Sequence, residues 1–260
     1  MLVIGRGVPR AIRTFERQVN TVDTHRGTAV VVGVLFIAAT VASILGSITL
    51  GSALDEPDYL TTLGGDGGRI TLAVMLFLIA ATSAFATSVL LFPILRKHAE
   101  GLAAGYVGLR AFENIFYVAS VVGLLMMLTV SQSDAVSTAG AVDLGLMGAT
   151  LLALHSWTVV LGTLVFAGLG CLTLNSVLYR SRLVPRWLSA WGLIGGAGVL
   201  LYGLLGVFGV DSGMGSPYMV LAMPLAFQEM VFAGWLMVRG LQPHEAQLRR
   251  TAEPPVQIAA

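Results

Sequence analysis

Charge is what this 260-residue sequence has least of. Asp, Glu, Lys and Arg make up 11% of it, against 56% hydrophobic residues. A soluble globular chain carries about 25% charged and 45–50% apolar residues, so the deficit excludes an ordinary water-soluble domain and leaves a membrane protein. Cysteine is almost missing as well. With Cys171 alone, neither an internal disulfide nor a multi-cysteine metal site can form. A single thiol in an apolar segment reads as a small buried hydrophobe. Of fifteen basic residues only Lys97 is lysine, a bias associated with GC-rich bacterial genomes. Metal and nucleotide signatures are lacking too. There is no HExxH, His155 has no second histidine near it, and the run Gly64-Gly65-Asp66-Gly67-Gly68 lacks the lysine and the strand–loop–helix setting of a phosphate cradle. No cofactor, metal or nucleic-acid partner is expected.

Apolar length is what the chain does have. A bilayer crossing takes roughly 20 apolar residues, and six such runs occur, at about 29–50, 70–95, 106–130, 144–178, 187–208 and 217–238. The expected fold is all-α, a polytopic membrane bundle of six transmembrane helices forming one domain over 27–240. Residues 1–26 carry Val8, Ile12, Phe15, Val19 and Val22 on one helical stripe and Arg10, Arg13 and Arg17 on another, the pattern of a basic amphipathic helix lying on an anionic leaflet. Arg6 follows Leu2-Val3-Ile4 too soon for a cleavable signal peptide. Residues 241–260 are polar and expected to be disordered. Small residues recur every four positions, as Ala38, Ala42 and Gly46, as Ala39, Ser43 and Ser47, and as Gly192 and Gly196 with Gly195 and Gly198 beside them. That spacing lets membrane helices approach closely. Pro93 is expected to bend the last turn of the second span. The long fourth run reads as a tilted helix or one with an interfacial first turn.

Arginines precede the first span, flank the links at Arg96-Lys97 and at Arg180, Arg182 and Arg186, and follow the sixth at Arg239. The other connections hold only Arg69 and most of the non-terminal acids. The positive-inside rule then places both termini in the cytoplasm, with the plasma membrane as the expected location.

The third run carries the candidate site. Arg110, Glu113, Asn114 and Tyr117 are spaced i, i+3, i+4, i+7 and share one helix face. Ionisable groups within a span are costly, and they face the bundle interior or a water-filled cavity. Counted at 1.5 Å per residue, Arg110 and Glu113 lie roughly 6 and 10 Å past Tyr106, and Glu229 of the sixth run lies roughly 15 Å before Arg239. The depths overlap, so Arg110 pairs with Glu113, with Glu229 beside Gln228, or with both. One guanidinium and two carboxylates leave a negative charge that a cation, water or a proton on one glutamate must compensate.

Several functions fit this stripe. The leading one is non-enzymatic: the binding or movement of a small amphiphile, ion or proton at Arg110, Glu113, Asn114, Tyr117, Gln228 and Glu229, with Arg110 holding an anionic group. The rival is an intramembrane enzyme on a lipid or isoprenoid, with a glutamate as general acid. A structural network, in which Asn114, Tyr117 and Gln228 satisfy an interhelical ion pair, is the bland alternative. An accessory protein docking a partner through residues 1–26 is the last. Membrane lipids are the expected surroundings in every case.

The run Phe92-Pro93-Ile94-Leu95-Arg96, then Gly105-Tyr106 and Arg110-Ala111-Phe112-Glu113, resembles the middle of the domain-of-unknown-function 4386 family. Tyr179 through Leu188, Trp191 through Gly196, and Pro224 through Met230 are similar to its later segments. The resemblance covers about residues 26–240. It implies a bacterial integral membrane protein of about six helices and brings no activity with it.

Overall fold

The computed structural model describes residues 10–51, 54, 65, 67–132, 141–210 and 216–241, with 10–25 and 141–144 described as backbone alone. The amphipathic stripe expected over 1–26 rests on side chains, so it lies outside the described residues, as does the tail beyond Leu241. The backbone of this first segment is helical from Arg10 and runs unbroken into the first span, giving α1, Arg10–Leu50.

The next helix, α2, spans Gly67–Ser131, 65 residues. A straight helix of that size would be roughly 100 Å long, about three times the hydrocarbon thickness of a bilayer. It is not straight. Ala99 leaves helical geometry (φ −159°, ψ 85°), and the two limbs, 67–98 and 100–131, fold back on each other. Gly67 lies against Gln132 and Leu128, Phe77 against Tyr117 with ring centroids 6.0 Å apart, and Leu95 with Ala103 and Tyr106 in one apolar cluster. The reversal therefore takes one residue. It falls six residues after Pro93, which stays inside the first limb, because the fixed φ of proline is itself helical. Ala99 follows Arg96, Lys97 and His98, all exposed. Backbone groups freed by a turn there meet water, whereas at Pro93 they would meet hydrocarbon.

The third helix, α3, runs through Ala141–Val159, widens into a π-helical stretch at Val160–Phe166, and continues as Ala167–Ser181. The long fourth run thus takes up part of its length in a wide turn at mid-span. It ends at Arg182 in the left-handed region (φ 55°). Helix α4 is Arg186–Val207. A short 3-10 turn, Pro217–Leu221, leads into α5, Met223–Arg239, with Pro224 in its first turn, where a missing N–H leaves no bond unmade.

Five of these helices are long and apolar enough to cross a membrane, and the longest is a hairpin of two membrane-length limbs. Large apolar side chains point outward along them, among them Val34, Ile44, Phe112, Ile115, Ile194 and Phe227. The protein is an integral membrane helix bundle, all-α among the described residues.

Where lipid replaces water, burial of apolar surface does not drive helices together, and close backbone approach takes its place. Helix α4 shows this on two faces. A Cβ on Gly192 or Gly196 would run into Asn175, Cys171 or Leu172 of α3, and one on Gly195 or Gly198 into Leu225 or the Leu221 carbonyl on the α5 side. The glycine pattern is thus a two-sided packing surface. On α1, Gly33 meets Ala233 and Met237, and Gly46 meets Phe77.

Two apolar clusters close the ends of the bundle. One gathers Val32, Leu95, Tyr106, Leu178, Leu188 and Leu236. The other gathers Leu50, Ile70, Phe77, Leu124, Met127 and Leu151. Arg110, Glu113 and Glu229 line a cavity that reaches Phe36 of the first cluster and Tyr117, which packs against the second.

Candidate functional site

The second limb of α2 sets Arg110 and Glu113 one turn apart, pointing inward. Nη1 of Arg110 donates to both carboxylate oxygens of Glu113 at 2.9 Å. Both residues are buried, and the guanidinium lies over the Tyr106 ring, 5.6 Å from its centroid. The ion pair is therefore made within one helix. It neutralises two charges locally and does not tie one helix to another. Nε of Arg110 is buried without a hydrogen-bond partner among the described residues.

Glu229 comes from α5 and faces the same space. Its polar contacts are Thr40 Oγ1 of α1, which donates at 3.4 Å, and Cys171 Sγ of α3 at 3.9 Å. Arg110 makes its ion pair with Glu113 and not with Glu229. Arg110, Glu113, Tyr117, Glu229, Thr40, Ser43 and Cys171 line one cavity of about 300 Å³. Of the six expected site residues, four thus share a chamber and two do not. Gln228 is buried and donates to the Leu188 carbonyl of α4 at 3.3 Å. Asn114 has its Oδ1 buried without a partner among the described residues and does not line the chamber. Among the described residues no hydrogen bond from Asn114, Tyr117 or Gln228 supports the ion pair, in which Nη1 of Arg110 meets both oxygens of Glu113 and Nε is left without a partner.

Tyr117 bonds elsewhere. Its hydroxyl lies 2.9 Å from Ser43 Oγ. This contact stands between the charged chamber and a second cavity of similar volume, lined by Ser43, Ser47, Tyr117, Ser120, His155, Ser156 and Thr163, with Leu50, Gly51 and Leu54 at one end. His155 packs against a hydrogen-bond partner, its Nδ1 lying 2.7 Å from Ser120 Oγ. Ser43, Tyr117 and Thr163 line both cavities. The ridge of Ala39, Ser43 and Ser47 on α1, which reads in the sequence as a packing face, therefore faces cavities instead.

The wide turn of α3 sits against the charged limb. A Cβ on Gly162 would lie 2.7 Å from Phe116 Cβ and 3.3 Å from the Glu113 carbonyl, and Thr163 and Leu164 of the same turn line the charged chamber. π-helical turns inside α-helices occur frequently at functional sites. Cys171 is buried, as the sequence indicates, but its thiol faces a carboxylate and not hydrocarbon.

The chamber also has a side opening. Helices α1 and α5 meet at Gly33 with Met237, at Phe36 with Phe232, whose rings make an edge contact at 5.4 Å, and at Thr40 with Glu229. One turn further along, Ile44 and Ala226 line the chamber from the two helices, and both are exposed. The polar interior thus reaches the lipid-facing surface between α1 and α5.

Among the described residues, no three His, Cys, Asp or Glu side chains gather as metal ligands would. No curated protein and no solved structure matches the chain. A family model does: the domain of unknown function DUF4386 matches residues 31–240, and the chain belongs to that family.

Proposed function

We propose that the protein binds a small amphiphile, its polar end among Arg110, Glu113, Tyr117 and Glu229 and its hydrocarbon leaving between Ile44 and Ala226 into the bilayer. One observation carries this reading. A chamber lined by Arg110, Glu113 and Glu229 opens sideways onto an apolar surface, so it offers a polar end and an apolar end in the order an amphiphile needs. At about 300 Å³ it lies at the small end of ligand cavities, which suits a headgroup or a single small molecule. The membrane of this proposal is the bacterial plasma membrane, with both chain ends on the cytoplasmic side, supported by the crowding of Arg96, Lys97, Arg180, Arg182, Arg186 and Arg239 around one end of the bundle.

A second reading, movement of a proton or ion, is favoured by the second cavity, which continues the polar layer from Tyr117 toward Gly51. Passage would require the Ser43–Tyr117 contact to part.

The test is native mass spectrometry of the protein purified in mild detergent, beside Glu229→Gln and Ala226→Trp variants that melt as the parent does. The expected result is a bound small molecule on the parent, lost when the carboxylate is neutralised or the side opening is filled. Retention of the same molecule by both variants would put its site elsewhere.

A further inference from the structure

We infer that the ligand of the charged chamber is cationic: an amphiphile bearing an amine, whose ammonium group pairs with Glu229. This deepens the amphiphile reading and rests on it. Arg110 is the single cation among the described residues that line the chamber, and it is already matched. Its Nη1 touches both oxygens of Glu113, and its guanidinium rests on Tyr106. Glu229 shares the chamber with Arg110 without an ion pair to it. It has a hydroxyl at 3.4 Å, longer than the 2.5–3.0 Å of a good O–H···O bond, and a thiol, a weak donor, at 3.9 Å. With both carboxylates ionised, the lining carries one negative charge in excess.

The two ligand signs fare differently in this setting. An anionic head could take the unpartnered Nε of Arg110 without displacing Glu113, but it would set three negative charges against one guanidinium. Such a charge inside a low-dielectric bundle is not tolerated without a partner. An ammonium head meets a carboxylate with open acceptor positions. A primary ammonium has three N–H donors, enough for Glu229, the Thr40 hydroxyl and the Ser43 hydroxyl, all of which line the same chamber. Glu229 and Thr40 lie one turn from Ala226 and Ile44 at the side opening, so an alkyl chain on that amine reaches the bilayer directly. Sequence spacing points to Arg110 as the residue holding an anionic group; the proposal gives the ligand to Glu229 instead, because Nη1 of Arg110 is shared between both oxygens of Glu113. The same ammonium chemistry comes from a free long-chain amine or from the ethanolamine head of a phospholipid.

The experiment compares dodecylamine, dodecanol, dodecanoate and a single-chain phosphatidylethanolamine as ligands of the full-length protein in detergent, read by native mass spectrometry and by melting temperature. The expected result is that dodecylamine binds at least about tenfold tighter than dodecanoate or dodecanol, and that Glu229→Gln brings the three chains to within about twofold of each other. Should Glu229→Gln fold poorly, Thr40→Lys serves in its place, because its ammonium occupies the position beside Glu229 and should abolish the preference in the same way. Stronger binding of the single-chain phosphatidylethanolamine than of dodecylamine would identify the lipid head as the source, and the reverse a free amine; both support the proposal. A preference for dodecanoate, or a preference for the amine that survives both substitutions, would overturn it while leaving the amphiphile reading standing. Binding of none of the chains would overturn both.

Discussion

Arg110 and Glu113 close on each other within one turn of one helix, and that geometry separates what each glutamate does. Glu113→Gln would leave a buried guanidinium without its carboxylate, beside an Nε that already has no partner among the described residues. Removing one member of a buried pair costs about 3–5 kcal/mol. Glu229→Gln removes a group whose hydrogen-bond partners are a long hydroxyl contact and a thiol and which Arg110 attracts without direct contact, and should cost less than about 1 kcal/mol. Thermal unfolding of the two variants in one detergent checks this: Glu113→Gln should melt well below the parent and Glu229→Gln close to it. Equal losses would mean that Glu229 is held by more than these two contacts. The pair itself is legible in the sequence, because i, i+3 spacing on a helix sets both groups on one stripe. The partners Thr40, Ser43, Thr163 and Cys171 are not. They come from other helices, and nothing in a single chain's periodicity says which rotation each helix adopts. Asn114 and Gln228 fit the stripe by their spacing, and only the packed helices place them outside the chamber.

Among the elements, α4 is positioned by two glycine faces, and they should not tolerate even a methyl group. A Cβ on Gly198 would run into the Leu221 carbonyl, which is backbone and cannot rotate aside. Gly198→Ala should therefore cost about 1–3 kcal/mol, the usual penalty for overpacking. Gly108, exposed on the second limb of α2 with nothing within 4 Å of where a methyl group would sit, sets the contrast. There Gly108→Ala only reduces backbone entropy in the unfolded chain and should stabilise by about 0.5–1 kcal/mol. Denaturation of the two variants measures the difference, and a neutral Gly198→Ala would mean that α4 sits further from the α5 turn. Glycines four apart announce such faces in the sequence, and span limits follow from apolar length to within a few residues. The wide turn of α3 announces nothing, whereas the reversal at Ala99 falls in the link that the apolar runs 70–95 and 106–130 leave between them. The first has no proline or glycine signature distinct from packing glycines. The second falls where exposed Arg96-Lys97-His98 let the backbone meet water and not at Pro93, where the local signal is stronger.

For the whole molecule, the hairpin in α2 decides how often the chain crosses the membrane. As one straight helix, residues 67–131 would put Gly65 and Gln132 on opposite sides. As two limbs meeting at Ala99, they put both on one side and His98 on the other. Contacts of Gly67 with Gln132 and of Phe77 with Tyr117 favour the second arrangement. The charge pattern agrees, since Arg96 and Lys97 lie at the same end as Arg180, Arg186 and Arg239, and Arg69 lies at the other, hydrogen bonded to the carbonyls of Thr49 and Leu50. This is the part of the architecture most legible from composition alone, because clusters of arginine at alternate links need no knowledge of packing. Gly65, His98 and Gln132 are all exposed, so single-cysteine variants at these positions, made in a Cys171→Ser background, can be labelled in intact cells with a membrane-impermeant maleimide. Gly65→Cys and Gln132→Cys should react from outside. His98→Cys should react only after the membrane is opened. Labelling of Gly65→Cys and Gln132→Cys from opposite sides would make α2 a single crossing. Labelling of His98→Cys alone in intact cells would keep the hairpin and invert the bundle, turning the arginine-rich end outward and moving the mouth near Gly51, and with it the second cavity, to the cytoplasmic face.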